Sequence, residues 1–350
     1  MPDRVSVNPY TLTFGIKPKE YIERLSDTQE VLGNFLSEEP SQQIYMITGV
    51  RGSGKTVFLT TITNRLRTYK DWVIVDMNPN NPDMIQFAAA ALCSENEFAN
   101  WFKSARLNFS LLGFGLEVQG AVPIADPQIA LEKMLQQMTK HHKKILFVID
   151  EAVPSHQIKA FAFAFQQFLR AKYSVYLLMT GLYENISDLQ NERSMTFLYR
   201  APKIVLSPLN IGAMADNYFL TLGQSREEAS DYARLTKGYS FAFQVLGYFG
   251  WETEGDYEKA IRLSRQYLEE QSYEKIWSEL SRRDQELIKA IASIPDGSIQ
   301  SIKAFMSIGQ NELNPYRQRL IRKGIVISPS RGYLRFALPF FEQYVLENYV

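Results

Sequence analysis

Residues Gly49-Val50-Arg51-Gly52-Ser53-Gly54-Lys55-Thr56 constrain this chain more than any other segment. Two spaced glycines followed by Gly-Lys-Thr fit the pattern of a phosphate-cradling loop. Glycines let the backbone curl until several N–H groups point inward at phosphate oxygens. Lys55 places a positive charge at the β- and γ-phosphates, and Thr56 offers its hydroxyl to Mg²⁺. The flanks fit. Gln43 to Thr48 is a short apolar run that reads as a buried strand, and Val57 to Tyr69 reads as a helix. The dipole of that helix then faces the phosphates. Gly49, Arg51, Gly52, Ser53, Gly54, Lys55, Thr56 and Val57 are the expected phosphate-binding set, with ATP and Mg as cofactors.

Further apolar strands are expected at Trp72 to Met77, Ile145 to Ile149, Val175 to Thr180 and Lys203 to Leu206. Helical patterns separate them, which implies an α/β fold with a parallel sheet covered on both faces. Glu20 to Glu38 reads as an amphipathic helix, with Leu25, Val31, Leu32, Phe35 and Leu36 on its apolar side. Asp126-Pro127 reads as a helix start, with Asp as N-cap and Pro at the first helical position. Leu116 to Val122, after Gly113 and Gly115, alternates like a short strand of an edge hairpin. Residues 1–19 carry Pro2, Pro9, Gly15 and Pro18 and read as irregular.

Ile145 to Ile149 runs directly into Asp150 and Glu151. Ligands of open parallel sheets bind at the carboxyl ends of strands, where these two carboxylates fall. Asp150 is expected to hold Mg²⁺ through water, and Glu151 to orient or deprotonate an attacking water. Thr180 ends the fourth strand and is expected near the γ-phosphate or the water. Arg193 and Arg200 lie before the fifth strand. Arg200 is the better candidate for stabilising charge in phosphoryl transfer, supplied by a neighbouring copy in a homo-oligomer. Glu151, Thr180 and Arg200 form the expected catalytic set. Adjacent His141 and His142, beside Lys143 and Lys144, read as a solvated basic helix end rather than a metal site.

From Asn210 the chain becomes mostly helical, with Gly223, Gly238 and Gly255 as punctuation. From Ser281 the pattern is three helices, then two short strands around Pro329 to Gly332, the outline of a winged helix. Residues 281–350 hold 10 Lys+Arg and 6 Asp+Glu, a balance of +4 against −4 for the rest. This is mild, but Arg317, Arg319, Arg322, Lys323 and Arg331 cluster on the third helix and the hairpin. They are the expected contacts to duplex DNA phosphates, with a partner protein as the alternative use of the module. A single cysteine, Cys93, excludes an intramolecular disulfide and suits a reducing compartment. No apolar run reaches about 18 residues, so a membrane span is not expected, and the simplest location is the cytoplasm.

The combination of Gly49 to Thr56, Asp150-Glu151, Thr180 and Arg200, then a helical region and a winged helix, resembles the AAA+ and STAND ATPases. It is most similar to prokaryotic ATP-binding proteins related to archaeal STAND-type and origin-recognition-type ATPases. The resemblance covers about residues 8–350. It implies a five-stranded parallel sheet of order 5-1-4-3-2, with ATP between core and lid. It divides the chain into a core over 1–209, a helical lid over 210–280 and a winged helix over 281–350. Asn8-Pro9-Tyr10, Phe14-Gly15 and Pro18 to Arg24 resemble the family's entry segment near adenine, which makes Ile22 and Arg24 the implied contacts. Leu235 to Ser240 resembles the lid motif, in which Gly-x-Pro is usual; here Ser240 replaces the proline. Helix 239–250 also lacks the arginine that many AAA+ proteins use to sense nucleotide. Three functional readings follow: an ATP-hydrolysing switch, a non-catalytic nucleotide-gated interaction module, and an ATP-controlled DNA-binding regulator.

Overall fold

The computed structural model describes residues 7–13, 15–193 and 195–350. The expectations placed on residues 1–6 and on Phe14 lie outside the described residues. The chain packs as two compact units. One comprises Leu25–Thr48 and Phe58–Val205; the other comprises the chain up to Arg24, Gly49–Val57 and Leu206–Val350.

The first unit is built on a parallel sheet. Its strands are β1 (Ile44–Thr48), β2 (Trp72–Met77), β3 (Lys144–Ile149), β4 (Val175–Gly181) and β5 (Lys203–Val205). They lie in the order β2-β3-β4-β1-β5. This is the expected 5-1-4-3-2 order counted from the other edge. β1 and β4 are buried along their whole length, as a strand covered on both faces must be. Alternate side chains divide between the faces. Met46, Phe147 and Leu177 join Phe161 and Phe165 in one apolar cluster. There the rings of Phe147 and Phe161 meet edge to face at 5.3 Å. Tyr45, Trp72 and Tyr176 point to the other face and meet Phe35, which ends the helix Leu25–Phe35. The register pairs Thr48 with Gly181 and Ile149 with Met179, so β1, β3 and β4 end at one edge of the sheet.

The helix Pro127–Lys140 begins as its sequence predicts: the Asp126 carboxylate accepts a hydrogen bond from the Ile129 N–H. The expected strand at Leu116 to Val122 does not form. The Asn108 side-chain amide donates to the Val118 and Ala121 carbonyls, and the Phe109 N–H donates to Leu116 O. These bonds take backbone acceptors that a ladder would need. Only an isolated bridge, Asn108 to Pro123, remains of sheet pairing there. Cys93 is a half-buried core residue whose thiol is pushed up to about 12 by burial, so it carries no thiolate at neutral pH.

From Leu206 the second unit is helical apart from one small hairpin. Its helices Ile211–Leu222, Arg226–Leu235, Ser240–Glu252 and Tyr257–Leu268 are followed by a π-helical turn, Glu269–Tyr273, and a short helix, Glu274–Ser278. Local chemistry sets their starts. Asn210, Ser225, Asp256 and Ser281 each accept a hydrogen bond from an N–H in the first turn, and Ser225 with Glu228 completes a reciprocal capping box. Then come Arg282–Ser293, Ile299–Met306 and Gln310–Arg322, the antiparallel pair β6 (Val326–Ile327) and β7 (Arg335–Phe336), and a last helix, Phe341–Tyr349. The amino-terminal strap is pinned to this unit. Tyr10 is buried, and its hydroxyl meets Asn217 and Thr221. Its ring fills the space where a side chain on Gly247 would stand. Gln244 holds the strap at both ends, accepting from the Thr11 N–H and donating to Glu20 O. Among the described residues, no helix is long and apolar enough to cross a membrane.

Candidate nucleotide-binding site

The loop Gly49 to Gly54 follows directly on β1, and the helix Lys55–Leu66 follows directly on the loop. Gly52 and Gly54 take left-handed φ values of 76° and 88°, which the curl of an anion cradle requires and other residues resist. The Ser53 N–H closes a turn onto Val50 O at 3.1 Å. Lys55 Nζ donates to Gly49 O and Val50 O, each at 3.1 Å. The Ser53 hydroxyl oxygen is buried and has no hydrogen-bond partner among the described residues. Thr56 and Val57 are half-buried in the first turn of the helix. Arg51 turns its guanidinium to Glu279 at 2.9 Å, a half-exposed pair worth little in stability.

Three further groups surround the loop within the same unit. Arg24 Nη2 donates to Ser53 O at 3.0 Å and to Ser207 O at 2.8 Å. Arg24, implied near adenine by the resemblance, is thus engaged with the loop backbone; Ile22 packs half-buried on the apolar core. Ser240 Oγ donates to Ser53 O at 2.9 Å, and Tyr239 Oη donates to Arg51 O at 2.6 Å. Sequence reasoning registered Ser240 only as a departure from a motif and gave Tyr239 no role. The available signal was their place directly after Gly238, at a helix start.

The acidic pair belongs to the sheet unit. Asp150 and Glu151 follow β3, and Thr180 lies inside the neighbouring β4, fully buried. The Thr180 hydroxyl donates to Asp150 Oδ1 and accepts from the Glu151 N–H at 3.2 Å. Asp150 Oδ1 accepts from the same N–H at 3.1 Å. The Ala152 N–H then returns to Thr180 O at 2.7 Å. Four hydrogen bonds thus fix the turn that leaves β3. Glu151 sits at a left-handed φ of 55°, which is rare for a long side chain and costs about 1–3 kcal/mol. The clamp holds it there, with its side chain exposed. Thr180, expected to face phosphate or water, has its hydroxyl proton committed to Asp150.

Arg200 caps the short helix Thr196–Tyr199, and both it and Arg193 are exposed. Among the described residues Arg200 has no ion-pair partner. Of the basic set near the carboxyl terminus, Arg319 requires correction. Its guanidinium binds the fully buried Asp284 through two nitrogens, at 2.7 to 3.0 Å, and also reaches Ser281 Oγ. It fastens the helix Gln310–Arg322 to Arg282–Ser293 and is spent on the fold. Arg322 and Arg331 are exposed, while Arg317 and Lys323 are half-buried. His141 stacks flat on Trp101, with ring centroids 3.9 Å apart. No group of three or more metal-ligating side chains occurs among the described residues.

Residues 270–345 match a family model described as a domain of unknown function (DUF8462). No curated protein matches the sequence. Solved structures do. A Walker-type ATPase of Pyrococcus abyssi superposes with a TM-score of 0.65 at 14% identity, covering 96% of this chain and 99% of that one. The ORC2 protein of Aeropyrum pernix, in ADPNP–ADP complexes, gives 0.58 at 13% identity, covering 96% of each chain. Cdc6p of Pyrobaculum aerophilum gives 0.50 at 16% identity, again over 96% of each. At such identities the likeness establishes the fold, which is the AAA+ P-loop fold of archaeal Cdc6/ORC-type and Walker-type ATPases.

Proposed function

We propose that this chain binds Mg-ATP and hydrolyses it slowly, as a switch whose carboxyl-terminal helical region responds to the nucleotide. The observation that carries the reading is the clamp of Thr180 on Asp150 and Glu151, at the edge of the sheet where β1 runs into Gly49 to Thr56. Backbone N–H groups of the loop and Lys55 bind the phosphates. The Thr56 hydroxyl and the Asp150 carboxylate are hard oxygen donors of the kind magnesium takes, and both would hold it. Bound magnesium supplies neutralising charge at the phosphate oxygens. Thr180 aims the Asp150 carboxylate by donating to it. Glu151 accepts a proton from the attacking water as that oxygen bonds the γ-phosphorus and the bond to the β–γ bridging oxygen breaks. ADP and phosphate leave. Arg200, exposed and without an ionic partner among the described residues, is suited to stabilise that charge in a neighbouring copy.

In this proposal residues 210–280 act as the lid and 281–350 as a winged-helix module. Exposed Arg322 and Arg331 favour a second reading, in which nucleotide state controls binding to duplex DNA.

Titration calorimetry with Mg-ATP and a phosphate-release assay test the site. Lys55→Ala is expected to lower affinity by about a hundredfold or more. Glu151→Gln is expected to keep affinity and lower turnover by about 10²–10⁴. Undiminished turnover in Glu151→Gln would remove the assigned base. Undiminished affinity in folded Lys55→Ala would remove the site.

A further inference from the structure

The helix Ser240–Glu252 is fastened to the loop at three consecutive carbonyls. Tyr239 Oη donates to Arg51 O at 2.6 Å. The Phe241 N–H donates to Gly52 O at 3.0 Å. Ser240 Oγ donates to Ser53 O at 2.9 Å, where Arg24 supplies a second donor. In a trans peptide the carbonyl and the following N–H point in opposite directions. Holding the carbonyls of Arg51, Gly52 and Ser53 toward the helix start therefore turns the N–H groups of Gly52, Ser53 and Gly54 away from it. Of these, the Ser53 N–H closes the turn onto Val50 O. A phosphate cradle consists of successive N–H groups held in such an arrangement.

The fit leaves no slack. The Tyr239 hydroxyl stands where a Cβ on Gly52 would be, so the contact demands glycine at that position. The same hydroxyl meets Ser272 Oγ at 3.0 Å, within the π-helical turn. Burial pushes the Tyr239 phenol above its ordinary value, so it remains a donor. The proline of the resembled lid motif has no hydroxyl and no N–H to give. Ser240 contributes a bond at this place that a proline cannot.

We infer that Tyr239 and Ser240 are positioning residues for polyphosphate: they hold the loop peptides in their phosphate-binding orientation from the outside, without touching nucleotide. The inference rests on the nucleotide reading above.

The test is the affinity of the full chain for Mg-ADP, measured by titration calorimetry, together with its thermal unfolding midpoint without nucleotide. Tyr239→Phe removes the bond to Arg51 O together with the one to Ser272 Oγ, Ser240→Ala removes the bond to Ser53 O, and both leave the packing in place. Each is expected to weaken Mg-ADP about five- to tenfold. Ser240→Thr restores a hydroxyl and is expected to return the affinity to within about twofold of the unsubstituted chain. Lys55→Ala is the control for the site itself. Unchanged affinity in Tyr239→Phe and Ser240→Ala, beside a loss in Lys55→Ala, overturns the inference and spares the site. Unchanged affinity in Lys55→Ala overturns both. Weakening that Ser240→Thr does not reverse would mark a purely structural role and also overturn the inference.

Discussion

The two units bury aromatic rings by different rules. In the sheet unit the fully buried rings are mostly phenylalanines: Phe102, Phe109, Phe147, Phe161, Phe165 and Phe168. In the helical unit buried tyrosines outnumber buried phenylalanines, and several of their hydroxyls reach the backbone. Tyr218 donates to Phe243 O and Tyr232 to Leu246 O, each at 2.8 Å. Tyr273 donates to Pro339 O. Burial pushes the phenols of Tyr218 and Tyr273 well above their ordinary value, so they stay neutral donors. The sheet unit has an exception in Tyr45, whose hydroxyl accepts from Asn34 at 2.7 Å. The difference has a physical source. Ladders between β1, β2, β3, β4 and β5 already fix the register of the sheet, so plain apolar rings suffice to fill it. Packed helices share almost no backbone bonds with one another. A phenol that reaches a neighbouring helix's carbonyl supplies direction that a hydrophobic contact lacks.

The largest expected effect falls on the sheet unit. Phe147→Ala should lower unfolding free energy by about 3–5 kcal/mol in denaturant titration, because the ladder prevents collapse around the cavity. A loss below about 1 kcal/mol would mean that the sheet core repacks freely, against the contrast drawn here. Next comes Asp284→Ala in the helical unit. Removing a buried partner commonly costs about 3–5 kcal/mol. Here the Arg319 side chain is 35% exposed, and water offsets part of that loss. A cost of about 1–3 kcal/mol is expected. If stability is unchanged, the ion pair does not hold the helices Arg282–Ser293 and Gln310–Arg322 together.

Tyr218→Phe and Tyr232→Phe should each cost about 1 kcal/mol. The sharper readout is amide exchange. Protection should fall in the helix Ser240–Glu252 while β1 and β4 keep theirs. Equal loss in both units would erase the proposed distinction. The smallest effect is expected at the surface. Arg322→Ala and Arg331→Ala should leave stability within about 0.5 kcal/mol. If the DNA reading holds, each should also reduce the salt slope of duplex binding by about 1. Salt-independent binding, or none at all, would turn the search toward a protein partner.

What was legible in the sequence was local. Gly49 to Thr56 carries its conformation in its glycines, and the acidic pair is announced by the apolar run that ends in it. The cap at Asp126 needed only a three-residue span. Leu116 to Val122 misled because its alternation is a strand signal, while Asn108 supplies competing bonds from outside the segment. Arg319 misled because a basic residue on a third helix looks the same whether it faces solvent or a buried carboxylate.

By itself, then, the sequence determined the five strands of the parallel sheet, the loop and the place of the carboxylates, since glycine φ, apolar runs and capping act over a few residues. Only the tertiary structure decided which donor meets which acceptor. Tyr239 and Arg51 lie 188 positions apart, and Tyr10 and Asn217 lie 207 apart. A hydroxyl's partner at such a separation is chosen by packing, because no local pattern records where a distant carbonyl will point.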